Sequence, residues 1–344
     1  MRTEADISAH IGVPAAIMYA QAFSTISSVI PCFSKRGDII VADRAVNYAI
    51  RKGMQIARSA VYWYEHNDMA DLERVLQKVV RSQKGRKLTR RFIVTEALSE
   101  NVGDVLDLPA VVALKHKYKF RIILDESLSY GVLGSRGAGL TDASGVDPNE
   151  IDMIVGSLAG PLIGGGGFCA GATEVVEHQR ITSASYTFSA ALPAILAVTA
   201  SQTIAISQCE EGERLRATLQ ENVRALREQL DPRSNFVRCS SAPENPIQLL
   251  VLRDDVVKQR GLTRDDEEQI MAEVVDDCLA RGVFVARLRS FPPELGASQR
   301  EENDRWQPKP AVKVFLTTGL TKKEIERAGV EIRHAITKVM QKRK

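Results

Sequence analysis

The sequence predicts an α/β protein: a larger, mostly parallel sheet with helices on both faces, followed by a smaller C-terminal α+β region. Three observations carry that expectation. Short apolar, β-branched runs at 39–42, 61–64, 92–95, 122–124 and 153–155 alternate with segments of helical period, the pattern of parallel strands joined by crossover helices. The runs lack strict polar alternation, so the strands are expected to be covered on both faces. After Tyr186 the rhythm changes to a long helical pattern over 193–230, closed by the turn cluster Asp231, Pro232, Arg233, Ser234 and Asn235.

Taken in order, the helical segments of the first half are 24–33, 46–58, 69–82 and 108–117, the last with Pro109 in its first turn, where the missing N–H costs nothing. The second half offers strands at 248–251, 283–286 and 312–316 and helices at 265–280 and 322–340. This divides the chain into a large domain over 1–205, a linking helix over 206–232 and a small domain over 233–344. The stretch 290–310, rich in Pro, Glu and Gln, reads as an exposed loop. The apolar stretch 190–206 is interrupted by Pro193, Thr199, Ser201, Gln202 and Thr203, which predicts a buried helix rather than a membrane span of about 20 apolar residues.

Composition excludes more than it assigns. At 344 residues, with 44% hydrophobic and 26% charged, the chain is large enough to bury its own core and near globular averages. A net charge of +3, from 46 basic and 43 acidic residues, gives no ground for nucleic-acid binding. Cys32, Cys169, Cys209, Cys239 and Cys278 are scattered, without zinc spacing, and read as reduced thiols of a cytosol-facing protein. The first residues, through Glu4 and Asp6, lack the basic and apolar segments of a secretory signal.

Several residues are candidates for chemistry. Asp125 and Glu126 stand where an apolar strand ends, the edge at which open α/β sheets bind ligands. Asp125 is therefore either an anchor for a positive group or, with Glu126, a turn cap or the partner of a surface base. Gly131, Gly134, Gly137 and Gly139 read as a tight surface turn, and Gly164 to Gly167 as a ligand approach or a bend between strands. The basic cluster Lys84, Arg86, Lys87, Arg90 and Arg91 reads as a solvated loop, and His66 as part of a turn capping the next helix.

Taken together and in order, these pieces are more specific. Asp125-Glu126-Ser127-Leu128-Ser129-Tyr130-Gly131-Val132-Leu133-Gly134, then Gly137-Ala138-Gly139, Gly156-Ser157, Gly166-Gly167-Phe168, Gln179-Arg180 and Tyr186-Thr187-Phe188-Ser189, resemble the α-oxoamine synthase family. His66-Asn67-Asp68, Leu72-Glu73 and Ser34-Lys35-Arg36-Gly37-Asp38 match further landmarks of that family. The resemblance spans nearly the whole chain and is strongest over 12–200. It implies the type I fold of transferases dependent on pyridoxal phosphate (PLP), whose members of this family condense an amino acid with an acyl-CoA.

The resemblance also exposes departures. Catalytic members hold PLP as a Schiff base on a lysine; the matching position here is Gly160, and no lysine occurs between Lys119 and Lys258. Only a primary amine makes that bond. The ring-stacking histidine of the family is matched by Asn47, the histidine of its Asp-Glu-Ala-His motif by Leu128, and a phosphate-cradling glycine by Ala22. Lys313 stands where catalytic relatives carry a carboxylate-binding arginine, without that residue's bidentate fork. Asp125, the family's partner for the pyridinium nitrogen, is retained, and Asn47, Asp125, Ser157 and Ser189 are the vestigial or interface-facing cofactor positions. Ser189 either reaches a partner's PLP phosphate or is a strand hydroxyl bonded locally.

Within the family these losses resemble the non-catalytic, first long-chain-base subunit, in a fungal-looking version. That resemblance implies a heterodimer with a lysine-bearing catalytic paralogue of the second-subunit type, which holds PLP and condenses L-serine with palmitoyl-CoA to 3-ketosphinganine, the first step of sphingolipid biosynthesis. It further implies association with the endoplasmic reticulum membrane through the complex, with small membrane regulators as further partners. Subunits of this kind begin with a membrane-spanning helix and a further segment absent from this sequence, which on that expectation is N-terminally truncated. The alternative is a regulatory or scaffold pseudoenzyme of the same fold, since fold does not fix function.

Overall fold

The computed structural model describes residues 2–85, 87–292 and 305–343. The chain forms two compact units: residues 2–100 with 105–213, and residues 101–104 with 214–343.

The first unit is built on a seven-stranded sheet. In chain order its strands are β1 Ala15–Tyr19, β2 Ile39–Asp43, β3 Ala60–Tyr64, β4 Arg91–Glu96, β5 Arg121–Asp125, β6 Met153–Ser157 and β7 Gly167–Gly171, arranged β1-β7-β6-β5-β4-β2-β3. The run β6-β5-β4-β2-β3 is parallel, and β7 lies antiparallel between β6 and β1. Helices α2 (Ala22–Phe33), α3 (Tyr48–Ala57) and α7 (Thr173–Thr182) pack on one face, and α4 (Met69–Ser82) and α5 (Leu108–Tyr118) on the other. Ile40, Ala42, Phe92, Val94 and Ile123 join Val29, Ile30, Ile50 and Met54 in the core beneath α2 and α3. The unit also contains α1 (Arg2–Ile11), α6 (Leu140–Ser144), α8 (Ala184–Thr187) and α9 (Ala194–Ser207).

Local chemistry sets the boundaries. Helix α4 starts where the Asp68 side chain accepts from the N–H groups of Ala70 and Asp71. The helix expected from 46 begins at Tyr48, because Asn47 takes the N-cap and accepts from Ile50 N. It ends at Arg58 in the left-handed region (φ 55°).

Four expectations are corrected. The strand near 61–64 is the sheet's edge and is partly exposed rather than covered on both faces. The continuous helix expected over 193–230 is two helices, α9 and α10 (Glu210–Leu230), broken at Gln208 and Cys209. Helix α9 is not buried: Ala200, Ile204 and Ser207 face inward, against α1 and the loop at Gly164 and Gly165, whereas Ile195 is 72% and Val198 54% exposed. The strand expected at 283–286 is displaced to Ala286–Leu288, since Val283 N bonds Cys278 O and so closes the preceding helix. Of the loop expected over 290–310, residues 293–304 lie outside the described residues, as does Arg86 of the basic cluster.

The second unit carries an antiparallel sheet of β8 (Val237–Cys239), β9 (Ile247–Leu252), β10 (Ala286–Leu288) and β11 (Ala311–Phe315) in the order β10-β11-β9-β8. Helices α11 (Asp254–Arg260), α12 (Arg264–Ala280) and α13 (Lys322–Lys342) accompany it, α12 and α13 opening on capping boxes from Thr263 with Asp266 and Thr321 with Glu324. Leu250, Leu252, Val312 and Val314 meet Ile270, Val274, Ile332 and Ile336 in one core. All five cysteines are free thiols. Among the described residues no helix is long and apolar enough to cross a membrane, and no metal-holding cluster occurs.

The contact of α2 with α3 depends on Gly53: a Cβ there would stand 2.9 Å from Ile30 Cδ1 and 3.1 Å from the Ser27 Cα. Because one of these neighbours is backbone, Gly53→Val should lower stability by about 1–3 kcal/mol in denaturant unfolding. An unchanged midpoint would mean that the helices separate without penalty.

Candidate functional site

Parallel pairing places the ends of β2, β4, β5 and β6 along one edge of the sheet, and each of the first three ends in an acid: Asp43, Glu96 and Asp125. Glu96 and Asp125 are in register on adjacent strands, and both are buried. Asn47, in the turn after β2, joins them: its Nδ2 donates to Glu96 Oε1 and Asp125 Oδ2, each at 2.9 Å, and its backbone N to Glu96 Oε2 at 3.0 Å. Asp125 Oδ1 accepts from Ser127 N at 2.9 Å. Burial raises the Glu96 carboxyl well above its ordinary range, reinforced by the neighbouring Asp125 charge, and burial raises Asp125 as well.

Glu126 turns away from this pair. Its carboxylate accepts from Leu140 N at 2.9 and 3.0 Å and from the Ser129 hydroxyl, and burial pushes it up to about 7. The loop reaches it through Gly139 at φ 101°, where an added Cβ would lie 2.7 Å from Glu126 Oε2. Asp43 accepts from His66 Nδ1 at 2.9 Å and from the backbone N of Ala45 and Asn67. His66 therefore belongs to this edge, and the cap of the following helix comes from Asp68.

The remaining positions singled out in the sequence do not converge with Asn47 and Asp125 through any direct hydrogen bond. Ser157 Oγ accepts from Ala159 N at 3.1 Å. Gly160 is exposed in the bend between β6 and β7, closed by Leu158 N to Gly166 O, and a Cβ on it would meet nothing within 4 Å. Ser189 is exposed, lies after α8 rather than on a strand, and donates to Ser185 O at 2.7 Å and Ala190 O at 3.2 Å. Leu128 is half-buried in the turn after β5, and Ala22 is the first residue of α2. Lys313 is buried on β11, its Nζ 5.3 Å from the centre of the Phe315 ring. In the basic cluster, Arg90 donates to Phe33 O and Arg91 stacks on Phe120, so these two are tied into the fold.

Glu96 was missed by the sequence reading. The signal available was that β4 and β5 are apolar runs ending in an acid at matched positions.

The family described as aminotransferase class I and II matches residues 4–298. The chain belongs to that family. It is 36% identical over 318 residues to serine palmitoyltransferase 1 of Dictyostelium discoideum, a match covering 92% of this chain and 64% of that protein. It is 36% identical over 339 residues to long chain base biosynthesis protein 1c of Oryza sativa subsp. japonica, covering 98% and 66%. Serine palmitoyltransferase 1 of Saccharomyces cerevisiae is 38% identical over 256 residues, covering 72% and 46%. The chain thus spans about two thirds or less of the length of these relatives. Among solved structures, one described as serine palmitoyltransferase (SPT) with PLP internal aldimine superposes with a TM-score of 0.81 at 22% identity, over 99% of this chain and 77% of that one. An 8-amino-7-oxononanoate synthase from Francisella tularensis gives 0.74 at 18% identity, over 98% and 87%. At these identities the structural likeness establishes the fold, the expected PLP-transferase architecture.

Two tests address the acidic edge. Asn47→Ala removes the helix cap and the donor shared by two buried carboxyls, and should cost about 2–4 kcal/mol in denaturant unfolding, summing a cap with an unsatisfied buried group. A loss no larger than an ordinary cap's would show that the bridge to Glu96 and Asp125 contributes nothing. The second concerns pH. Because the folded Glu126 binds its proton up to about 7 while the unfolded group releases it near 4.5, stability attributable to it falls as pH rises between those values and is level above them. Glu126→Gln should remove a pH-dependent loss on the order of 3 kcal/mol across that window. Superimposable pH–stability curves for the two proteins would contradict the raised carboxyl.

Proposed function

We propose that this chain is the non-catalytic subunit of a serine C-palmitoyltransferase, pairing with a lysine-bearing paralogue that carries PLP and condenses L-serine with palmitoyl-CoA to 3-ketosphinganine. The reading is supported by the similarity to proteins named serine palmitoyltransferase 1 and long chain base biosynthesis protein 1. The observation that carries the non-catalytic half is the Asn47 bridge: each oxygen of Asp125 accepts a donor from within the chain, Oδ2 from Asn47 Nδ2 and Oδ1 from Ser127 N, so this carboxylate is hydrogen-bonded without calling on a cofactor.

These residues do not fit a covalently held PLP. The position matched to the cofactor lysine is Gly160, with no lysine from 120 to 257. Asn47 presents an amide engaged on both hydrogens in place of a stacking ring, and so no catalytic step is assigned to this chain's own residues.

The exposed apolar side of α9, with Ile195 and Val198, and the exposed Phe188 and Ile163 supply surface of the kind an obligate partner covers. On this reading Ser189 and the Gly160 bend face the catalytic paralogue, where Ser189 contributes a hydroxyl toward the paralogue's PLP phosphate. The complex, with any small membrane regulators, holds the chain at the endoplasmic reticulum membrane.

The deciding experiment is co-purification with the lysine-bearing paralogue, followed by an assay with each chain omitted. Activity is expected only with both chains. The chain by itself should show no visible absorbance of lysine-bound PLP and take up no label on borohydride treatment, and Gly160→Lys should not confer activity. Ser189→Trp should reduce activity of the pair while leaving this chain's unfolding curve unchanged. A borohydride-fixed cofactor on this chain would overturn the proposal, and a paralogue fully active without it would favour a purely regulatory scaffold.

A further inference from the structure

Within the second unit, a cavity of about 390 Å³ opens over Leu249 and Val251 and is walled by Arg238, Arg264, Lys309 and Trp306. That size lies within the range of small-molecule sites, roughly 300–1,000 Å³. None of these residues is among the positions matched to the family's cofactor contacts. Glu267, in the first turn of α12, also lines the cavity. Its two acidic neighbours, Asp265 and Asp266, are accounted for by solvent exposure and by the capping box, whereas Glu267 is only 9% exposed and its Oε2 is buried with no hydrogen-bond partner among the described residues.

A buried carboxylate oxygen without a donor is costly, and in native proteins such groups are few enough that each calls for a cause. The helix dipole offsets part of the cost but supplies no donor. The cavity supplies room for one. Of the bases around it, Arg264 is fixed by Ser290 Oγ at 2.9 Å and Pro308 O at 2.7 Å, and so acts as wall. Lys309 and Arg238 both lean on Asp254, at 2.6 and 3.8 Å, an acid whose side chain is 65% exposed. An exposed ion pair of this kind contributes little, so an incoming anion displaces Asp254 at small cost.

We infer that this cavity binds a small zwitterion, its ammonium group donating to the Glu267 carboxylate and its carboxylate or phosphate held by Arg238 and Lys309. The opposed charges set the spacing: an anion without an ammonium group leaves Glu267 unsatisfied and meets its repulsion, and a cation without an anion meets three bases. Trp306 gives the apolar stem of the ligand a flat wall. The inference concerns the second unit and does not rest on the role proposed for the chain in a heterodimer.

The test uses the full chain by itself, without PLP, titrated calorimetrically with phosphoethanolamine and with L-alanine, and with inorganic phosphate and ethanolamine as single-charge controls. Saturable binding of at least one zwitterion, with each control weaker by about tenfold or more, is expected; preference between the two identifies the anion as phosphate or carboxylate. Glu267→Gln, which keeps the shape and relieves the buried charge, should weaken binding at least about tenfold without lowering the melting temperature. Arg238→Gln, on the open wall, should weaken it independently. Absence of saturable binding by either zwitterion, or equal affinity of the wild-type and Glu267→Gln proteins, overturns the inference.

Discussion

The feature on which the rest of the first unit depends is the burial of two carboxyl groups, Glu96 and Asp125, side by side at the end of adjacent parallel strands. Two such groups in a poorly polarisable setting cannot both ionise freely, and each needs donors. Asn47 meets both demands at once, with one amide spanning the pair and a backbone N–H on Glu96. The same side chain's oxygen caps α3, so the helix that covers the core and the polar bridge at the sheet edge are fixed by one residue. The electrostatic arrangement and the packing of this face are therefore not separable.

That coupling leaves neither carboxyl unsatisfied, because the donors come from the chain itself. Glu126 is likewise supplied from within, by Leu140 N and the Ser129 hydroxyl, and Asp43 by His66 and two backbone N–H groups. Each acid at or beside this edge is answered by a local donor, as buried polar groups require. The uncovered apolar side of α9 is the opposite case, surface whose composition exceeds what the chain itself buries there.

The second unit follows a different logic. Its antiparallel sheet presents one face to α12 and α13 in a continuous apolar core, and these two helices begin at reciprocal capping boxes that fix their first turns. Glu267 departs from this pattern: in a well-capped first turn, its carboxylate Oε2 is buried with no donor among the described residues.

By itself the sequence determined the alternation of strands and helices, because hydrophobic period is a local property: 69–82 was legible as a helix to both ends, and the five parallel strands were all present. That no lysine lies between Lys119 and Lys258 likewise needs no coordinates. Strands β1 and β7 were not legible, because Ala15–Tyr19 and Gly167–Gly171 are short or rich in glycine and alanine and owe their conformation to pairing with β6 and with each other. The apolar stretch around α9 read as buried because composition does not say whether a partner surface is present. The Asn47 bridge lay beyond the sequence for the same reason: residues 47, 96 and 125 meet only when parallel pairing sets β2, β4 and β5 in register, and register is decided by the packing of the whole sheet rather than by any one strand.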